Sequence, residues 1–182
     1  MKVAFLDRDG VINKEINYLH KIKDFQYTNR CIDGLLLLIT LGFQLVIVTN
    51  QAGIAKGIFS KDDYHCLTAW MLDDLKSKAV DVLECMYCPH HPDGSIPEYT
   101  VACECRKPGH FMLETVKIKY DVDMRKSIMI GDKISDIYAA QNANVGRSFL
   151  VRSGHPLNND LQGNFEVEDD LYSVANLLSN GA

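Results

Sequence analysis

Two aspartates stand two residues apart in Asp7-Arg8-Asp9-Gly10-Val11, directly after the apolar run Val3-Ala4-Phe5-Leu6. Carboxylates so spaced at the end of a strand attract Mg²⁺, which binds through one or two carboxylates together with substrate phosphate oxygens. By itself the pentapeptide is as compatible with a solvated turn capping a helix. A second acidic segment follows in Gly131-Asp132-Lys133-Ile134-Ser135-Asp136, where Asp132 and Asp136 lie four apart and share a face of any helix that begins there. Between the two stand Thr49, at the end of the run Gln44 to Val48, and Arg106-Lys107-Pro108, whose proline denies Lys107 helical geometry. Alone, Thr49 reads best as a strand-end hydroxyl capping its own turn.

A separate cluster lies in Cys88-Pro89-His90 and Cys103-Glu104-Cys105. Three sulfurs and an imidazole have the number and softness of a closed tetrahedral Zn²⁺ site, and four protein ligands leave no open position, so the ion is expected to be structural. His91 and Cys85 are neighbouring alternatives as ligands. Cys31 and Cys66 sit in apolar helical stretches and are expected to be buried thiols. Because Cys105 adjoins Arg106 and Lys107, the ion is expected to fix where that cationic pair sits.

The elements that must position these groups alternate. Val3 to Leu6, Gln44 to Asn50, Ser127 to Gly131 and Ser148 to Val151 read as strands. Leu35 to Leu41, stopped by Gly42, Tyr64 to Ala79, with Ser60 as cap, and Ile134 to Ala143 read as helices. Alternation predicts an α/β fold, a Rossmann-like, mostly parallel sheet with helices on both faces. Ligands of such sheets sit beyond the carboxyl ends of the strands, which places Asp7, Thr49 and Asp132 at one rim. Residues 83–107 break the pattern and read as an inserted zinc-binding loop in place of a full cap domain, and 154–170 read as loop before a last short helix. The whole of 1–182 is expected to form one domain.

Composition narrows the partners. The net charge of −5 argues against a nucleic-acid protein held by bulk electrostatics. No apolar run approaches the ~20 residues that span a bilayer. The N-terminus carries no signal-peptide core, so the expected location is the cytoplasm, where six cysteines serve as thiols or metal ligands.

Taken in order, Asp7-Arg8-Asp9-Gly10-Val11, Thr49, Lys107 and Gly131-Asp132-Lys133-Ile134-Ser135-Asp136 resemble the four motifs of the haloacid dehalogenase-like phosphatase superfamily. The resemblance implies Asp7 as nucleophile, forming an aspartyl-phosphate, and Asp9 as acid and then base. It implies Mg²⁺ on Asp7, the Asp9 carbonyl and Asp132, with Thr49 and Lys107 on the phosphoryl oxygens and Asp136 bracing the metal ligands. With Glu15-Ile16-Asn17-Tyr18, Asn50-Gln51-Ala52 and the cysteine loop, the chain is similar to the D-glycero-D-manno-heptose 1,7-bisphosphate 7-phosphatase branch, which serves nucleotide-activated heptose and lipopolysaccharide biosynthesis. That similarity selects His90 as zinc ligand. It implies substrate contacts from Glu15, Ile16, Asn17, Tyr18, Asn50, Gln51, Ala52, Arg106 and Lys133, with Arg106 at the second phosphate. Ala52 stands where relatives often carry Ser, and Lys56 where Arg is common. Histidinol-phosphate phosphatase shares the aspartate motif and the zinc loop and is the alternative; an idle zinc-stabilised scaffold and a DNA 3′-phosphatase are weaker readings. A monomer is expected.

Overall fold

The computed structural model describes residues 1–156 and 165–181. Among the described residues, six strands form one sheet in the order β3-β2-β1-β4-β5-β6: β1 Val3–Leu6, β2 Gln44–Asn50, β3 Val82–Cys88, β4 Ile128–Gly131, β5 Arg147–Val151 and β6 Glu166–Glu168. All five pairings are parallel. β1 is central, its Ala4 lying opposite Leu45 of β2 on one side and Ile128 of β4 on the other.

The helices are α1 Cys31–Thr40, the single turn α2 Ala52–Ala55, α3 Lys61–Ser77, α4 Phe111–Tyr120, α5 Ile134–Asn142 and α6 Leu171–Asn180. Why β1 is an unbroken apolar run follows from the two cores. Ala4 and Leu6 pack on one face with Leu35 and Leu38 of α1, Met71 of α3 and Val174 of α6. Val3 and Phe5 pack on the other with Met112 and Val116 of α4 and Ala139 of α5. A strand covered on both faces has no polar side to alternate with. Ser60 caps α3 as expected, accepting from the Asp63 N–H at 3.1 Å while Asp63 accepts the Ser60 N–H at 2.8 Å.

The chain builds outward from β1 to β2 and β3, then crosses back to lay β4, β5 and β6 on the opposite side. Strand order therefore reverses between β1 and β4, and a crevice opens there at the carboxyl ends, flanked by Asp7 and Asp132. Among the described residues no helix is long and apolar enough to cross a membrane.

Three expectations need correction. Residues 82–88 are not loop: they form β3, an edge strand whose side chains are mostly only partly buried, so Glu84 and the two cysteines hid the strand pattern. The zinc loop begins after Cys88. Within the stretch read as loop before the last helix, Glu166–Glu168 form β6; residues 157–164 lie outside the described residues. Cys66 is exposed on α3, because the buried stripe there runs through Tyr64, Leu67, Met71 and Leu75. Cys31 is buried as expected.

Candidate active site

Asp7 follows β1 directly, its backbone N–H donating to Ile130 O of β4 at 3.0 Å. Its Oδ1 accepts the Arg8 N–H at 2.8 Å and meets Lys107 Nζ at 3.1 Å. Lys107 reaches this point from outside the sheet. Its Nζ also lies 2.6 Å from Asp136 Oδ1 and donates to Val48 O at 2.6 Å. The backbone of Lys107 is gripped by one side chain: Asn50 Oδ1 accepts its N–H and Asn50 Nδ2 donates to its carbonyl, each at 3.0 Å. Asn50, expected as a substrate contact, fixes the lysine.

On the other side of the crevice, Asp132 Oδ2 accepts from the His155 N–H at 2.9 Å and from His155 Nδ1 at 2.6 Å. Asp132 Oδ1 is buried with no hydrogen-bond partner among the described residues. Two glycines allow this carboxylate its place. A Cβ on Gly154 would lie 2.1 Å from Asp132 Oδ2, and one on Gly10, at φ 84°, would lie 2.5 Å from the same oxygen. One carboxylate oxygen each from Asp7, Asp132 and Asp136 fall within 4.8 Å of one another. Three convergent carboxylates and an unpartnered buried oxygen fit a hard divalent cation.

The electrostatics agree with that geometry. Burial, then the neighbouring Asp136 and Asp9 carboxylates, push Asp7 above the ordinary aspartate value, with Lys107 opposing. Burial and the Asp7 carboxylate likewise raise Asp132. Burial would lower Lys107, but Asp136 and Asp7 outweigh it and raise it to about 12, so the ammonium stays charged. Asp9 goes the other way: burial would raise it, yet Arg8, Asn13 and Gln51 hold it below the ordinary value.

These groups open into a cavity of about 440 Å³. Of the residues expected at the site, Asp7, Asp9, Thr49, Lys107, Glu15, Asn17, Tyr18, Asn50, Gln51, Ala52, Arg106 and Lys133 line it, while Asp132 lies beneath at 1% exposure. Ile16 is the exception: it is 47% exposed and forms no part of the wall. Asn17 and Tyr18 both have positive φ, 57° and 61°, and this turn brings Tyr18 to accept a hydrogen bond from Lys56 Nζ at 2.9 Å. Thr49 and Gln51 are joined, Gln51 Nε2 donating to Thr49 Oγ1 at 2.8 Å. Asp136 is buried beside Lys107 and accepts the Lys133 N–H at 3.0 Å, so it braces lysine and loop together.

Sequence reasoning left Lys56, His91, Ser135 and His155 out of the candidate set, yet they line the cavity. His91 was readable as a spare zinc ligand or, with His90 on the ion, as a group facing substrate or solvent. Burial, with Arg106 and Lys56 nearby, keeps its pKa below the ordinary histidine value. Nothing in the spacing around His155 marks it, since it enters from beyond β5.

The cysteine cluster closes as expected. Cys105 Sγ lies 3.0 Å from Cys88 Sγ and 3.3 Å from Cys103 Sγ, and His90 Nδ1 lies 3.3 Å from Cys105 Sγ and 3.6 Å from Cys88 Sγ. Four mutually adjacent N/S donors fit a tetrahedral ion, for which ligand atoms about 2.0–2.3 Å from the metal are required. Cys85 is not among them; its thiol faces the Tyr64 hydroxyl at 3.6 Å. Arg106 Nη1 donates to His90 O at 3.3 Å, tying the cationic wall of the cavity to the cluster.

A parallel sheet with an aspartate after its central strand, a buried lysine from outside the sheet and a carboxylate after the neighbouring strand defines a phosphatase of the haloacid dehalogenase-like class. Residues 104–178 match the HAD-hydrolase-like family. The chain is 50% identical to a D-glycero-alpha-D-manno-heptose-1,7-bisphosphate 7-phosphatase of Photorhabdus laumondii, over 98% of this chain and 97% of that protein. It is 46% identical to a D-glycero-beta-D-manno-heptose-1,7-bisphosphate 7-phosphatase of Escherichia coli (strain K12), over 84% of this chain and 80% of that one. The crystal structure of D,D-heptose 1,7-bisphosphate phosphatase from B. bronchiseptica, complexed with magnesium and phosphate, superposes with a TM-score of 0.86 at 29% identity, covering 100% of both chains. The chain therefore belongs to the heptose-1,7-bisphosphate 7-phosphatase family.

Proposed function

We propose that this phosphatase removes the C7 phosphate of D-glycero-D-manno-heptose 1,7-bisphosphate, acting on the α anomer, in the cytoplasmic synthesis of nucleotide-activated heptose for surface polysaccharide. The observation that carries the substrate class is the cavity itself. Asp7, Thr49 and Lys107 supply a reacting pole for one phosphate, and Arg106 and Lys56 supply cations in the same wall for a second. An arginine fork matches the oxygens of a phosphate bidentately. The α anomer is favoured because the relative of that name is 50% identical over 98% of the chain, whereas the β-named relative of the same organism is 44% identical over 87%.

In this reading Asp7 attacks phosphorus and becomes an aspartyl-phosphate, dividing the hydrolysis into two displacements. Asp9 gives a proton to the departing C7 oxygen and later takes one from the water that cleaves the intermediate. Lys107 and Thr49 hold the phosphoryl oxygens, and Asn50 and Asp136 hold Lys107. Asp7, Asp132 and the Asp9 carbonyl would hold Mg²⁺, whose charge lets an anionic phosphate approach an anionic carboxylate. Cys88, His90, Cys103 and Cys105 would hold a structural Zn²⁺ that anchors Arg106. We further propose that the enzyme acts as a monomer.

The test is phosphate release, with Mg²⁺, from each heptose bisphosphate anomer and from histidinol phosphate. A hundredfold preference in kcat/KM for the α anomer, about 2.7 kcal/mol, is expected. Preference for the β anomer overturns the anomeric assignment alone; preference for histidinol phosphate overturns the sugar.

A further inference from the structure

Asp7 and Asp9 face the cavity, and Arg8 between them turns inward, where its side chain is 1% exposed. A buried guanidinium is costly to desolvate unless its donors are matched. Nε and Nη2 converge largely on one group, while Nη1 has no partner among the described residues. Arg8 Nη2 lies 3.0 Å from each oxygen of Asp9, and Nε lies 3.3 Å from Asp9 Oδ1. The same Nη2 reaches Leu19 O and Gln51 Oε1, each at 3.2 Å, and the Tyr64 ring lies below the guanidinium, 5.8 Å from its carbon. Gln51 returns the contact, its Nε2 donating to Asp9 Oδ2 at 3.0 Å, and Asn13 Nδ2 donates to Asp9 Oδ1 at 3.0 Å.

We infer that Arg8 is a positioning residue for proton transfer: with Gln51 it fixes the Asp9 carboxyl so that Asp9 meets the oxygen leaving phosphorus. The inference rests on the reading of Asp9 as proton donor. Donors from Arg8, Asn13 and Gln51 leave Asp9 ionised in the free enzyme, so the proton enters on the phosphate-ester monoanion. Asp7 forms its bond to phosphorus as the ester O–P bond breaks, and that proton passes through Asp9 to the departing oxygen. A sugar alkoxide is a poor leaving group and needs that proton; a nitrophenolate leaves without it. Both esters need Asp7, the metal ligands and an intact fold equally.

Misplacing Asp9 should therefore separate two substrates that general damage would treat alike. kcat/KM is the correct readout because it ends at the first irreversible step, departure of the leaving group, and does not include cleavage of the intermediate. Arg8→Lys keeps the charge and loses the fork. With fold and zinc content verified, it is expected to lower kcat/KM for the heptose bisphosphate by about 30-fold or more, part of the roughly 10²–10⁴-fold that general acid catalysis supplies, and for p-nitrophenyl phosphate by no more than about threefold. Equal losses on both esters would reduce Arg8 to a structural role and overturn the inference. If Arg8→Lys does not fold, Gln51→Met, which removes one donor to Asp9 and no buried cation, must show the same split in smaller measure; an equal loss there also overturns it. Asp9→Asn, measured alongside, separates the two failures. No split in Asp9→Asn sinks the proton-donor reading, whereas a split in Asp9→Asn alone sinks only the part assigned to Arg8.

Discussion

The Lys107 ammonium stands 3.1 Å from Oδ1 of Asp7, inside the sheet rim, although the two residues are a hundred positions apart in the chain. Burial leaves this pair with little screening, and Asp136 completes a triad. Removing the lysine should thus act twice. Lys107→Ala is expected to lower kcat by about 10²–10³-fold, the scale for loss of one preorganised oxyanion contact. It should also destabilise the fold by about 3–5 kcal/mol, since two buried carboxylates lose their cation. Steady-state kinetics and urea unfolding check each part, and an unchanged rate would place Lys107 outside the reaction.

Asp7→Asn should remove the nucleophile while retaining shape. Turnover is expected to fall by on the order of 10³-fold or more, with zinc content unaltered. Substantial residual activity in a preparation free of wild-type protein would take the nucleophile's role from Asp7.

Gly154→Ala tests how closely Asp132 must be approached. The added Cβ would lie 2.1 Å from Asp132 Oδ2, so the carboxylate has to turn. Mg²⁺ affinity is expected to weaken by roughly 10–100-fold, as for other changes that reorient a ligand. Calorimetric titration measures it, and wild-type affinity in the variant would show that Asp132 does not ligate the ion.

Acidity offers a separate test. Asp7 and Asp132 have folded pKa values raised above the ordinary 3.8, chiefly by burial. A raised folded pKa gives stability that is full below the unfolded value and is lost as pH rises through the folded one. Asp9, lowered instead, loses its contribution only as pH falls below 3.8. In protein freed of Mg²⁺ with its zinc retained, melting temperature should therefore climb as pH drops from neutral through the raised folded values of these two carboxyls, and added Mg²⁺ should stabilise most at the upper end. An Mg²⁺ shift independent of pH would separate these carboxyls from the metal site.

Cys103→Ser should lose stoichiometric zinc and several kcal/mol of stability. Turnover should fall with it, because Arg106 bonds His90 O and Lys107 follows Cys105 closely. Full activity in a zinc-free, folded variant would detach the cluster from the site.

Motif residues carried much of this architecture on their own. Asp7, Thr49 and Asp132 end strands that read clearly because β1, β2 and β4 are buried on both faces, and strand ends determine the rim. The cysteine cluster was legible because four soft ligands at short spacing admit few other uses. β3 was not legible, since an edge strand lacks a continuous apolar run; neither was the exposure of Cys66, which depends on which face of α3 meets the sheet. Only tertiary structure brought His155 onto Asp132, set Asn50 around the backbone of Lys107 and buried Arg8 against Asp9. The two long-range contacts join segments distant in the chain, and Arg8, though adjacent to Asp9, was turned inward by the packing around it. Local spacing fixes which residues end a strand, while the side chains that meet there depend on how separate strands and loops converge.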